Sequence, residues 1–203
     1  MEPLRRLTGV VAPLMRDNVD TDAIIPAAYM RSLSTDPAKG LFARWRYRDD
    51  GTDDPRFVLN DPRYRHACIL VTGSNFGCGS SRENAVWALQ RYGIRCVIAL
   101  GFSDIFRQNA LKNAVLPLAL PRDAHGRVVQ AATRADPLTL TVDVQARAIE
   151  MPGNPPIAFE LDARQQSRLL SGMDEIEETL NMAPQIERFR AGHRARAPWL
   201  YDP

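Results

Sequence analysis

The chain has 203 residues, 45% of them hydrophobic and 25% charged, with 26 Lys and Arg against 24 Asp and Glu. That is enough for one domain with a sizeable core, and a net charge of +2 makes no case for a nucleic-acid or membrane partner. No apolar run approaches the ~20 residues of a membrane span, and no apolar segment follows Met1-Glu2-Pro3-Leu4-Arg5-Arg6, so no signal peptide is read and a cytoplasmic location is expected.

In chain order, Leu7 to Leu14 reads as a first strand, broken by Pro13. A polar acidic turn from Asp17 to Asp22 follows, then Ala23-Ile24-Ile25-Pro26. Asp20 and Asp22, two apart, have the spacing of a metal pair. Orientation of nearby groups is the better reading, with Asp22 holding an arginine or a backbone turn. Residues 34–62 are rich in turn formers and read as an insertion. The short amphipathic piece Leu41 to Tyr47 inside them interleaves basic and aromatic side chains. One such piece on a near-neutral chain suits packing on the body or on a partner subunit better than base stacking.

Ala67 to Val71 is a continuous apolar run, a buried strand, and Ala85 to Gly93 is a helical pattern closed by glycine. The turn between them holds Gly73, Gly77 and Gly79, then Ser80, Ser81 and Arg82. At such a strand-to-helix turn, free backbone N–H groups and the helix dipole favour an anion. Two hydroxyls and a guanidinium arrive there in consecutive positions. The letters Ser80-Ser81-Arg82-Glu83 also spell a capping box, with Ser80 as N-cap and Glu83 at the third helical position. No Gly-Lys-Ser/Thr closes the turn and the glycines lack dinucleotide spacing, which disfavours a phosphate loop.

Ile94 to Leu100 is the next buried strand, Gly101 to Asn113 a second helix with Ser103 as a candidate cap, and Leu116 to Leu120 a strand. Alternation of strand and helix implies right-handed crossovers and a mainly parallel arrangement, with ligands at the first such turn. Pro121 to Ala135 reads as a polar loop with a short helix. Leu138, Leu140, Val142 and Val144 alternate with polar residues as a half-buried strand. Ala148 to Met151 and Ile157 to Leu161, joined by Pro152-Gly153-Asn154-Pro155, extend it as a hairpin-like region. Asp162 to Leu170 is helical. Gln185 to Ala197 is a basic, solvated tail, with 191–203 expected to be flexible. No repeat or linker divides the chain, so 1–203 is read as a single domain.

The cysteines, Cys68, Cys78 and Cys96, are odd in number and match no metal or disulfide spacing. Cys78 lies in the glycine turn, where a small residue in a tight bend is the plainer reading than a catalytic thiol.

Asn75-Phe76-Gly77-Cys78-Gly79-Ser80-Ser81-Arg82-Glu83 resembles the active-site loop of the aconitase superfamily, whose swivelling domain carries a Gly-Ser-Ser-Arg-Glu motif. Within it, the small-subunit family of bacterial 3-isopropylmalate dehydratases is the nearest match. Asp20 to Pro26 is similar to that family's Asp-Thr-Asp-x-Ile-Ile-Pro signature, and Phe102 to Asn109 to its Phe-x-x-Ile-Phe-x-x-Asn segment. The likeness runs from Thr8 to about Leu180, where Met173 to Leu180 is similar to the family's closing Gly-Leu-Asp-x-Ile segment. Asn84, Ala110 and Glu177 depart from it, standing where histidine, serine and a small residue are usual. Those departures leave room for a paralogue acting on citramalate or another 2-alkylmalate.

The resemblance implies an α/β fold: a single three-layer β/β/α swivelling domain with a partly parallel sheet and a C-terminal β plus helical extension. It implies that Ser80 is the base that moves a carbon-bound proton, that Arg82 binds a substrate carboxylate, and that Ser81 is a further contact. Arg31, on the segment that reads the variable end of the substrate, is implied as a second carboxylate contact, with Leu33 near an alkyl group. Asp22, Gly77, Cys78 and Gly79 are implied as support. The chemistry needs a [4Fe–4S] cluster, held by closely spaced cysteine thiolates that this chain lacks. No metal or cofactor is therefore expected on this chain. A large partner subunit, in a heterodimer or heterotetramer, is expected to bring the cluster. The implied reaction interconverts 2-isopropylmalate and 3-isopropylmalate, both dicarboxylates, by dehydration and rehydration in leucine biosynthesis. A stand-alone anion-binding regulatory module is the reading from another class.

Overall fold

The sheet pivots on its first strand, β1 (Arg6–Leu14), which serves two neighbours in succession. Residues Arg6 to Val10 pair antiparallel with β5 (Thr139–Asp143), and Val11 to Leu14 pair parallel with β2 (Ile69–Thr72). The expected break at Pro13 does not occur. Val11 N–H donates to Leu138 O on the β5 side at 2.9 Å. Pro13 nitrogen, two residues on, faces that same side beyond the first residue of β5, where no ladder bond is needed. The computed structural model describes residues 2–30, 36–134 and 136–201.

In chain order, β1 leads through the short helices α1 (Thr21–Ile24), α2 (Pro37–Gly40) and α3 (Ala43–Arg46) to β2. Then come α4 (Glu83–Tyr92), β3 (Cys96–Ala99), α5 (Asp104–Lys112), β4 (Leu116–Ala119) and α6 (Arg122–Ala132). The hairpin region is β5, β6 (Ala148–Glu150) and β7 (Ile157–Ala158), followed by α7 (Ala163–Ser171), α8 (Glu175–Leu180) and α9 (Ala183–Arg196). The seven strands lie in the order β4-β3-β2-β1-β5-β6-β7. The first four are parallel and the last three antiparallel, the partly parallel arrangement expected.

Every residue of β2 and β3 is buried, as for strands covered on both faces. Leu70, Val97 and Ala99 face a core shared with Val86 and Leu89 of α4 and Phe106 of α5. Ile69, Val71 and Ile98 face the other way, into a core with Val128 of α6, Leu140, Val142 and Ile149 of the antiparallel strands, and Leu169 of α7. Residues Pro121 to Ala135 depart from expectation. The 11-residue helix α6 replaces a loop with a short helix, because His125, Val128 and Ala132 recur at helical spacing and bury one face. The polar composition belongs mostly to the outer face, and the one buried polar side chain of the helix, His125, is hydrogen-bonded to Thr72 O.

The turn-rich insertion packs into the first core through Leu41 and Phe42, both wholly buried. Phe42 stacks on Trp45 at 5.7 Å, and the Arg16 guanidinium lies 4.4 Å from the Trp45 ring centre. At the C-terminal end, Glu177 has a local purpose. It completes a capping box with Asp174 at the start of α8. The basic stretch from Gln185 lies on α9, which is mostly exposed. Among the described residues, no helix is long and apolar enough to cross a membrane.

Candidate functional site

Parallel pairing sets the carboxyl ends of β1, β2 and β3 side by side, so the loops that leave them converge. The glycine loop after β2 is threaded between the other two. On one side Gly73 N–H donates to Arg16 O, Asn18 N–H to Ser74 O, Gly77 N–H to Val19 O and Thr21 N–H to Cys78 O, at 2.7 to 3.0 Å. On the other, Phe76 N–H donates to Gly101 O at 3.0 Å and Ser103 N–H to Phe76 O at 3.1 Å. The Asp17 carboxylate accepts from Ser74 N–H and Ser74 Oγ, at 2.6 and 2.8 Å. Those two bonds, the backbone one foremost, hold its pKa below the usual carboxylate range. Ser103 caps α5 as expected and also donates its hydroxyl to Gly77 O at 2.5 Å.

Glycine is required at Gly77 on two counts. Its φ is +74°, and an added Cβ would lie 2.2 Å from Phe106 Cγ. Gly79 has φ +87° but room for a side chain, since an added Cβ would meet Asp20 Cβ at 3.5 Å, an ordinary van der Waals contact.

The capping box spelled by Ser80 to Glu83 does not form. Helix α4 begins at Glu83, with Arg82 at the N-cap position and no side-chain cap. Ser80 and Ser81 stay exposed and take no part in the helix. Glu83 accepts from Asn113 Nδ2 at 2.9 Å instead of reaching back. Arg82 turns its guanidinium toward α1, where Nη1 donates to Asp22 Oδ1. This bond lowers the pKa of Asp22 and keeps it ionised. The Arg82 side chain is 19% exposed and that of Asp22 43%.

A cleft of about 270 Å³ opens here. Thr21, Gly77, Gly79, Ser80, Ser81 and Arg82 form one wall, and the start of α5, from Ser103 to Phe106 with Asn109, forms the other. Its volume is below the ~300–1,000 Å³ of drug-sized sites and suits a small acid. A guanidinium anchored on one edge keeps donors for a two-point grip on a carboxylate.

Of the residues singled out in the sequence, Ser80, Ser81, Arg82, Gly77 and Gly79 line the cleft, and Asp22 holds Arg82 from outside it. Cys78 is half-buried and contributes its carbonyl to Thr21, with no place in the cleft lining. Arg31 and Leu33 lie outside the described residues. Cys96 is buried, and burial raises the pKa of both Cys68 and Cys96 thiols. Among the described residues no three His, Cys, Asp or Glu side chains group to hold a metal. Thr21, Ser103 and Asn109 were not foreseen in the site. Ser103 and Asn109 belong to the Phe-x-x-Ile-Phe-x-x-Asn segment, whose polar positions were the available signal.

Residues 1–123 match the family model described as the aconitase C-terminal domain. The 3-isopropylmalate dehydratase small subunit of Brucella anthropi is 46% identical over 200 residues, which is 98% of this chain and 100% of that protein. The same protein of Brucella canis matches to the same extent. Among solved structures, 3-isopropylmalate dehydratase of Methanocaldococcus jannaschii superposes with a TM-score of 0.63 at 29% identity, over 91% of this chain and 99% of that one.

Proposed function

This chain belongs to the aconitase C-terminal domain family, and we infer from that premise that it acts as the small subunit of a 3-isopropylmalate dehydratase, a hydro-lyase of leucine biosynthesis. A small subunit implies a large one, and this family relies on the large subunit's iron–sulfur cluster. When bound there, a [4Fe–4S] cluster supplies Lewis acidity at the departing hydroxyl.

The observation that carries the assignment of roles is the common wall of Ser80, Ser81 and Arg82, with Arg82 anchored by Asp22. In this reading Arg82 grips one carboxylate of the isopropylmalate and sets the orientation of the carbon skeleton. Ser81 adds a hydrogen bond to that carboxylate, and the contact to the second is assigned to Arg31 on the family resemblance. Ser80 Oγ takes the carbon-bound proton and returns it during rehydration. A serine is a weak base unless its alkoxide is stabilised, and the amides of the glycine loop are the donors at hand. Gly77 and Gly79 shape the loop, and Cys78 serves as a small residue within it. Three free cysteines, Cys68, Cys78 and Cys96, fit a reducing cytoplasmic location.

The test is reconstitution with a cluster-loaded large subunit. Ser80→Ala is expected to lower kcat by at least about 10²–10⁴-fold, the usual contribution of a positioned base, with folding and assembly intact. Arg82→Lys is expected mainly to raise KM for 3-isopropylmalate. Retained turnover in the first variant removes Ser80 from the base role, and unchanged saturation in the second removes the carboxylate grip.

A further inference from the structure

Thr21 binds two carbonyls of the glycine loop at once. Its backbone N–H donates to Cys78 O at 2.9 Å, and its hydroxyl donates to Ser80 O at 2.8 Å. The side chain is buried, 3% exposed, at the first position of α1, and yet borders the cleft. Asp20, the N-cap of that helix, bridges to Cys78 and so fixes Thr21 against the loop.

A trans peptide turns its C=O and its N–H in opposite directions. Holding Cys78 O and Ser80 O toward Thr21 therefore turns the N–H groups of Gly79 and Ser81 away from it. Among the described residues neither amide has an acceptor. Ser103 acts from the opposite side. Its hydroxyl takes Gly77 O, so the preceding peptide carries the reverse orientation. Ser80 thus stands between two amides whose direction is set by Thr21.

We propose that Thr21 is a positioning residue for the reaction: its grip on the Cys78 and Ser80 carbonyls aims the Gly79 and Ser81 amides at the negative charge that develops on Ser80 Oγ. This rests on the assignment of Ser80 as the base. The hydroxyl touches no substrate and acts only through the loop. Without it the Ser80–Ser81 peptide is free to rotate, the alkoxide loses a fixed donor, and the pKa of the Ser80 hydroxyl rises.

The experiment uses the reconstituted, cluster-loaded complex with Thr21→Val, which has the shape of threonine without the donor, beside Thr21→Ser and Ser80→Ala. Expected for Thr21→Val is a fall in kcat of about 10- to 100-fold, as for a misaimed donor, with KM for 3-isopropylmalate nearly unchanged. The acid limb of its kcat profile should move to higher pH, and Thr21→Ser should restore most of kcat. Unchanged kcat in Thr21→Val beside an inactive Ser80→Ala overturns the role of Thr21 alone. An active Ser80→Ala overturns the base assignment and this proposal with it. Loss of thermal stability and activity together in both Thr21 variants, with no shift of the pH limb, marks a merely structural contact and also overturns the proposal. If Thr21→Val fails to assemble, Thr21→Ala against Thr21→Ser gives the same comparison.

Discussion

Replacing Gly77 with alanine introduces one methyl group at a point where the chain has neither the angle nor the room for it. At φ +74° an L-residue carries strain of about 1–2 kcal/mol. The new Cβ would stand 2.2 Å from Phe106 Cγ and 2.5 Å from Phe106 Cβ. That ring cannot swing aside. It is 3% exposed, packs edge-on against Phe76 at 5.2 Å and stacks on Phe102 at 6.1 Å. Relief by shifting the loop or α5 costs about 1–3 kcal/mol, the usual range for an overfilled core. The whole effect is about 2–5 kcal/mol, which for a domain of this size lowers Tm by roughly 4–20 °C. Gly79→Ala is the control. Its φ of +87° brings the same strain, but the nearest atom to the added Cβ is 3.5 Å away. The expected loss there is the strain alone, about 1–2 kcal/mol. Scanning calorimetry and urea titration of the isolated subunit measure both. Equal losses in the two variants, or a Gly77→Ala protein as stable as the parent, would refute the crowding of Gly77 against Phe106.

The Arg82–Asp22 pair makes a titration prediction. Asp22 titrates below its ordinary 3.8 because Arg82 bonds to it, so its contribution is present above that value and fades as pH falls through the lower folded one. Carboxylate-resolved NMR should show this shift vanish in Arg82→Gln; a shift that survives argues against the pair. Glu178, held by Arg164 and then Arg168, titrates at about 2 against an ordinary 4.5. The wild type should therefore exceed Glu178→Gln in stability by a constant margin above pH 4.5, and the margin should close as pH falls to about 2. Denaturant melts across that range check the convergence, and a gap independent of pH would count against it. Phe42→Ala removes a wholly buried ring stacked on Trp45 and should cost about 3–5 kcal/mol in urea unfolding. A loss under about 1 kcal/mol would mean that the insertion is not part of the core.

Elements that bury both faces were legible as apolar runs. Ala67 to Val71 covers β2 except for its last residue, Thr72, and Ile94 to Leu100 contains β3, because both faces of these strands are buried. Ser103 was legible as a cap because the bond from Phe106 N–H is local. Pro13 was misread because its effect depends on where β5 starts, far along the chain. The helix expected within Pro121 to Ala135 is longer than its composition suggests, because a one-sided helix with a polar outer face has the composition of a loop. The false capping box shows competition between near and distant partners. Its letters favour a helix starting at Ser81, yet Ser80 O is bound by Thr21 and Arg82 by Asp22, and α4 starts later.

The residues alone determined the chemistry on offer: two hydroxyls, a guanidinium and flexible glycines at the end of a buried strand, and no closely spaced thiolates for a cluster. The tertiary structure decided how those groups are aimed. Thr21 and Ser80 are 59 positions apart, and Asp22 and Arg82 are 60 apart. Pairing β1 beside β2 brings them together, and the direction of a peptide N–H or a guanidinium is set by what holds its other end.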